Sequence, residues 1–322
     1  MMRQAILDFP KQFDFNPRIE NIGRFKKKER AVAVGIGGSH LAADLVAAAD
    51  PEVNLIVHTD YGLPHMEPDR LKNSLIILVS YSGNTEEVVD AYHQAKKQKL
   101  DTLVISTNGQ LQELAKEYKT PYINLPPTGI QPRMAVGFSF RAILKALGAD
   151  KLLTESKQLS RILKAGTLDA AGQALAKKFE GYVPIIYSSR RNLAVTYNWK
   201  IKFNETGKIP AFYNIVPELN HNEMTGFDVI NSTRSLSKKF KFLFLFDNDD
   251  NERIVTRMEV MQKLYEERKL PVEIVPMKGT FRLEKIFSSL ILADWTALAT
   301  SALYGTESTN VPMVEEFKKI IA

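Results

Sequence analysis

Three hydroxyl side chains surround one glycine in the segment Ser80-Tyr81-Ser82-Gly83-Asn84-Thr85. The apolar run Ser74–Val79 feeds into it, and Glu86-Glu87 opens a helical pattern after it. Hydroxyl donors, free backbone N–H groups and the positive end of a helix, all beyond the end of a strand, suit an anion and above all a phosphate. Ser80, Ser82 and Thr85 would supply the hydroxyls, and Gly83 would let the backbone come close. A capping role for Asn84 or Thr85 explains one such residue, not three hydroxyls around a glycine. A second turn, Gly35-Ile36-Gly37-Gly38-Ser39, also offers amides and a hydroxyl. It is no nucleotide site, because His40 stands where the dinucleotide fingerprint needs its third glycine and no Gly-Lys-Ser/Thr follows. Gly38 and Ser39 are therefore expected to line the same pocket as the hydroxyl turn.

Both turns need strands to hold them. Ala31–Val34, Leu55–Val57, Ser74–Val79 and Thr102–Ile105 read as short buried strands, with a helix over Glu86–Lys97 and a further apolar helix over Met134–Leu147. A mostly helical, polar stretch over 151–180 precedes a second cycle. There Val183–Tyr187, Phe240–Phe246 and Pro271–Val275 read as strands. Asn192–Phe203, the segment after the acidic turn Asp247–Asp250, Phe281–Tyr304 and Val314–Ile321 read as helices. Alternating strands and helices predict an α/β chain of two domains, each a parallel sheet flanked by helices, over 1–150 and 151–322. The acidic turn is expected to cap the helix that follows it. Ser188-Ser189-Arg190-Arg191, at a strand end of the second cycle, is read as mainly structural, or as a contact across subunits.

Composition narrows the function classes. The 322 residues carry 43 basic and 37 acidic side chains, a formal charge of +6 spread over short runs such as Lys26-Lys27-Lys28. That is an interspersed surface rather than a nucleic-acid footprint, so no nucleic-acid partner is expected. The field does steer small anions. There is no cysteine, which excludes disulfides, thiolate catalysis and cysteine metal sites. Asp294 interrupts the richest late apolar stretch, and no secretory pattern opens the chain, so no membrane span and a cytoplasmic location are expected.

Together the two turns resemble the sugar isomerase (SIS) domain, a parallel α/β sheet that grips a phosphosugar by a Ser/Thr-rich turn. Phe203-Asn204-Glu205, Pro217-Glu218-Leu219-Asn220-His221-Asn222-Glu223, Gln131-Pro132-Arg133 and Phe317-Lys318-Lys319 narrow the match. They resemble the bifunctional phosphoglucose/phosphomannose isomerases, in the family's order. The resemblance implies two SIS domains and interconversion of fructose 6-phosphate with glucose 6-phosphate and mannose 6-phosphate, without cofactor or metal. Glu205 would be the base moving a proton between C1 and C2, and Arg133 the cation at the enediolate. His221 would open the sugar ring from the neighbouring subunit of a homodimer. Lys318 would assist, with Lys319 as the adjacent alternative. One departure stands out: Glu307-Ser308-Thr309-Asn310 replaces the family's frequent Asp-Pro with a further Pro, near where C2 stereochemistry is discriminated. The competing class is a non-catalytic SIS sensor of phosphosugars, although the residues before the first strand show no helix-turn-helix. An amidotransferase-type isomerase would need a glutaminase cysteine that the chain lacks.

Overall fold

The computed structural model describes residues 1–321 and divides the chain into two compact units, Asp8–Leu163 and Met1–Leu7 together with the chain from Lys164 onward. The division falls after Leu163, so the helices over 150–162 belong with the first unit. The opening helix α1 (Met2–Asp8) joins the second unit through Leu7.

In the first unit, β1 (Arg30–Val34), β2 (Leu55–His58), β3 (Ser74–Val79), β4 (Thr102–Ser106) and β5 (Tyr122–Asn124) form a parallel sheet of order β2-β1-β3-β4-β5. Val32 pairs with Ile56 on one side and Ile76 on the other. The three central strands are buried on both faces, which is why they are continuous apolar runs. α2 (Leu41–Ala49), α3 (Pro68–Lys72), α4 (Glu86–Lys97), α5 (Gly109–Glu117) and α6 (Val136–Leu147) cover the sheet. Val32, Val34, Ile76, Leu78 and Val104 meet Val88, Tyr92 and Leu111 of α4 and α5 in one core. α6 packs on α2 and touches β3 and β4. α7 (Asp150–Lys157) and α8 (Leu159–Ile162) complete the unit, tied in by buried Arg141, whose Nη1 donates to Leu153 O (2.9 Å) and Ser156 Oγ (2.6 Å). The outer edge of β5 is blunted by a single antiparallel bridge from Glu20 to Tyr122.

In the second unit, β6 (Val183–Ser189), β7 (Phe212–Val216), β8 (Phe240–Phe246) and β9 (Val272–Pro276) form a parallel sheet of order β7-β6-β8-β9. Around it lie α9 (Asp169–Phe179), α10 (Leu193–Glu205), α11 (Glu223–Gly226), α12 (Arg234–Ser237), α13 (Glu252–Glu267), α14 (Arg282–Leu303) and α15 (Pro312–Ile321). An aromatic core of Tyr187, Phe242, Phe244, Phe227 and Tyr265 packs the sheet against α13, with Phe242 and Tyr265 ring centres 4.6 Å apart. α14 packs on α9 and α10. By length and composition α14 could cross a membrane, which the reading of Asp294 as an interruption did not anticipate; 67% of its most apolar 18-residue window is buried within the protein. Asp294 itself is buried there against Lys202 of α10, with 1% and 2% of the two side chains exposed. A charge inside an apolar helix is accommodated because its partner is buried beside it.

Candidate active site

The order β2-β1-β3-β4-β5 reverses direction between β1 and β3, and loops leaving such a pair diverge to open a crevice beyond the strand ends. The glycine turn after β1 and the hydroxyl turn after β3 both lie there. Tyr81 N–H donates to Ser39 Oγ (3.1 Å), which stitches the two turns together. Gly38 lies against Pro132 and Arg133: a Cβ on it would stand 2.8 Å from Arg133 N, so only glycine lets that backbone in. The structure thus gathers Gly38, Ser39, Ser80–Thr85 and Arg133 at one end of one sheet. Arg133 is 2% exposed, not the surface arginine that a proline-flanked loop would suggest.

Within the hydroxyl turn the roles separate. Ser80 is fully buried, and its Oγ accepts from Gly83 N–H (3.1 Å) and, more weakly, Thr85 N–H (3.4 Å). The hydroxyls of Ser80 and Thr85 lie 2.8 Å apart. With its lone pairs taken, Ser80 best gives its proton to Thr85 Oγ1, which leaves the hydrogen of the half-buried Thr85 hydroxyl for a ligand. Ser82 is exposed. No side chain caps α4: Thr85 sits at its N-cap without a side-chain bond to the helix, and Asn84 Oδ1 accepts instead from Gln110 N–H of α5 (2.9 Å). The simple capping explanation of these residues therefore fails, and the α4 N-terminus is left to an anion. Gly83 has φ +73°, and a Cβ there would lie 1.7 Å from Asn108 O. The backbone for which it makes room is that neighbouring turn.

In the second unit, Glu205 ends α10, a half-buried position set by the Lys202–Asp294 pair one turn earlier. Lys208 Nζ donates to Glu205 O (2.7 Å) and also to Asn310 O, joining the end of α10 to the approach to α15. That approach is held by Glu307, whose carboxylate accepts from Thr309 N–H and Asn310 N–H, each at 2.6 Å. The Asn310 amide bond, the largest effect, holds this carboxyl below its ordinary pKa. His221 is exposed at the end of the 3-10 turn Glu218–His221. Its segment is anchored by Glu223, which accepts from Tyr187 OH and Asn214 Nδ2. Burial, then the neighbouring Tyr265 and Glu223, push the Tyr187 phenol far up, so it stays a proton donor to that carboxylate. Lys318 is exposed on α15, its Nζ 3.4 Å from Glu315. Glu223 closes the Pro217–Glu223 motif but its anchoring bonds had no signal in the sequence, and Lys208 had none beyond lying near Phe203-Asn204-Glu205. Among the described residues no group of three or more His, Asp or Glu side chains could hold a metal ion.

The second sheet has its own switch point between β6 and β8, and it is filled from within. Asp247 accepts from Lys285 (2.8 Å) and Arg282 (3.1 Å), with Arg191 at 3.5 Å, while Asp250 takes Ser189 Oγ (2.8 Å). Ser189 and Arg191 are thus structural, as expected. The acidic turn, however, does not cap α13; the Asn251 side chain does so by accepting from Arg253 N–H (2.9 Å). Asp247 is drawn to the buried cations instead. Burial pushes the Arg282 guanidinium down to about 10, and Arg191 adds to this. Lys285 also lies 2.7 Å from the Asp249 carboxylate, so three cations face three carboxylates and no net charge is left here for a phosphate.

The chain is similar to known proteins along its whole length. Residues 169–321 match the family described as bacterial phospho-glucose isomerase C-terminal SIS domain. The bifunctional phosphoglucose/phosphomannose isomerase of Aquifex aeolicus is 30% identical over 98% of this chain and 97% of its own length. The protein of the same name from Caldicellulosiruptor bescii is 30% identical over 99% of this chain and 95% of its own. Among solved structures, glucosamine-6-phosphate deaminase from Thermotoga maritima superposes with TM-score 0.69 and 16% identity over 97% of both chains, a likeness of fold. With one switch point open, the other closed by its own ion pairs, and relatives matched from end to end, the chain belongs to the bifunctional phosphoglucose/phosphomannose isomerase family.

Proposed function

We propose that the chain interconverts fructose 6-phosphate with glucose 6-phosphate and mannose 6-phosphate, through a cis-enediolate and without a metal. Family membership carries this reading; the turn at the β1/β3 switch supports it by suiting a phosphate monoester. The phosphate takes hydrogen bonds from Thr85, exposed Ser82 and the first amides of α4, while Gly38 and Ser39 line the pocket and Ser80 and Gly83 shape the turn. Glu205 removes the proton from C2 of the aldose and returns it to C1, while a second proton moves between O1 and O2. Arg133 stabilises the negative charge that develops on the enediolate oxygens. His221 of a second copy and Lys318 exchange protons with the ring oxygen and O1 so that the cyclic sugar opens first.

The test is direct. Purified protein is given fructose 6-phosphate with a chelator, and glucose 6-phosphate and mannose 6-phosphate are assayed separately. Both should form at a rate that the chelator leaves unchanged. Glu205→Gln should lower kcat by roughly 10²–10⁴-fold while phosphosugar binding persists. Binding without turnover in the unaltered protein would favour a sensor, and loss of turnover on chelation would sink the metal-free mechanism.

A further inference from the structure

Tyr81 stands in the middle of the hydroxyl turn, yet neither the grip on phosphate nor the reaction uses it. It is buried, and each of its three polar groups is bonded to a different loop. Its N–H donates to Ser39 Oγ (3.1 Å) in the turn after β1. Its carbonyl accepts from Thr107 N–H (3.1 Å) and from Thr107 Oγ1 (2.6 Å) in the turn after β4. Its phenol oxygen lies 3.1 Å from Thr128 Oγ1, in the loop after β5. The sheet is parallel, so all of these connections leave the carboxyl ends of its strands, and one residue ties together the loops of the ligand-bearing edge.

The tie matters most for the loop after β5. Pro126, Pro127 and Pro132 have no amide hydrogen to give, and residues 127–129 are exposed. Thr128 N–H turns back onto Pro126 O (2.9 Å). Among the described residues, the Tyr81 phenol makes the one hydrogen bond recorded from 127–131 to a segment outside 126–134. The 3-10 turn Pro132–Met134, which carries Arg133, follows directly. That turn is held on its far side: buried Gln12 donates from Nε2 to Met134 O (2.6 Å) and accepts from Gly137 N–H (2.9 Å) at Oε1. Gly38 packs against the Arg133 backbone from the turn after β1. On its near side, the Tyr81–Thr128 bond fixes the approach.

We propose that Tyr81 is a positioning residue for Arg133. Its phenol clasps Thr128 and fixes the path of residues 127–131, and so sets where the guanidinium stands when negative charge develops on the substrate. The effect on turnover rests on the isomerase reading; the clasp does not. The clasp is separate from the Thr85 hydroxyl and the α4 amides, the donors read as holding phosphate. Its loss should therefore leave phosphosugar binding in place and slow the chemical step.

Tyr81→Phe keeps the ring and removes only the phenol oxygen. It should lower kcat for fructose 6-phosphate by roughly three- to tenfold, the range that one neutral hydrogen bond spans, with KM changed by no more than about twofold. Thr128→Val should do the same, and the double variant should be no slower than either single one, since both remove one contact. Thr128→Ser, which keeps the hydroxyl, should turn over at close to the unaltered rate. Additive losses in the double variant would overturn the proposal. So would a rise in KM at constant kcat, which would mean that the phenol meets the substrate itself. A second readout needs no turnover. The chain has no cysteine, so a nitroxide can be attached at Pro127→Cys alone. Its spectrum should show greater mobility with Tyr81→Phe or Thr128→Val and no change with Thr128→Ser. Unchanged mobility with Tyr81→Phe would overturn the clasp even in an active enzyme, and raised mobility beside an unchanged kcat would overturn the link to Arg133. Raised mobility in a protein whose unaltered form does not isomerise would leave the clasp standing and remove the isomerase reading.

Discussion

Ser80 and Thr85 sit side by side in one turn, share one hydrogen bond, and are separated in role by burial alone. Ser80 is spent on Gly83 N–H and Thr85 N–H, so it holds the turn in shape; Thr85 has a hydroxyl hydrogen left over. Their substitutions should part accordingly. Thr85→Val keeps the shape and removes the donor, and a hydrogen bond to a charged group contributes about 1.5–3 kcal/mol, so KM for fructose 6-phosphate should rise by roughly tenfold or more. The melting temperature should stay near that of the unaltered protein. Ser80→Ala takes the acceptor from Thr85 N–H and the second acceptor from Gly83 N–H, which keeps the Ser80 carbonyl, in a buried place, and should lower the melting temperature first. Equal effects of both variants on KM, with neither changing stability, would show that the buried hydroxyl reaches the substrate after all.

What a sequence reveals at the scale of elements follows from burial. β1 and β3 are legible because a strand covered on both faces is close to a continuous apolar run, and β8 because only Lys241 breaks its run of Phe and Leu. β5 and β7 escape notice because neither offers a buried apolar run: β5 is only 3 residues long, and Phe212 and Tyr213 of β7 are 54% and 39% exposed. The hydroxyl turn is legible because all its chemistry is local. The pairing of Asp247 with Lys285 and Arg282 is not, since partners that distant in sequence meet only through the fold. That pairing makes a testable contribution to stability. Burial alone would raise the Asp247 carboxyl, but hydrogen bonds from Lys285, Asp249 N–H and Asn192 outweigh it and hold it below the usual range. A depressed carboxyl stabilises the fold above its unfolded pKa of about 3.9, and that stability is lost as pH falls through the folded value. Asp250 works in the opposite sense: burial raises it, so its contribution is complete below the unfolded pKa and fades as pH rises through the folded one. The denaturant midpoint should therefore fall on acidification below about pH 4. Asp247→Asn should flatten that fall and, by leaving buried cations unpaired, cost about 3–5 kcal/mol at pH 7. An unchanged acid limb in Asp247→Asn would remove Asp247 from the account.

Two units of like architecture use their switch points differently, one left open among donors and the other closed by its own ion pairs, so the proposed reaction has one candidate phosphate turn per chain. His221 and Lys318 are both exposed in their own chain. A site completed by a second copy has a signature that single variants do not give. Glu205→Gln and His221→Ala should each be nearly inactive alone. In a mixed pair, the two defects fall together on one site, and the other site receives an intact Glu205 from one chain and an intact His221 from its partner. Equal mixing with free exchange should then restore about a quarter of the unaltered rate, one competent site in about half of the pairs. Sites built within one chain would give no recovery, because every one of them would carry one defect or the other.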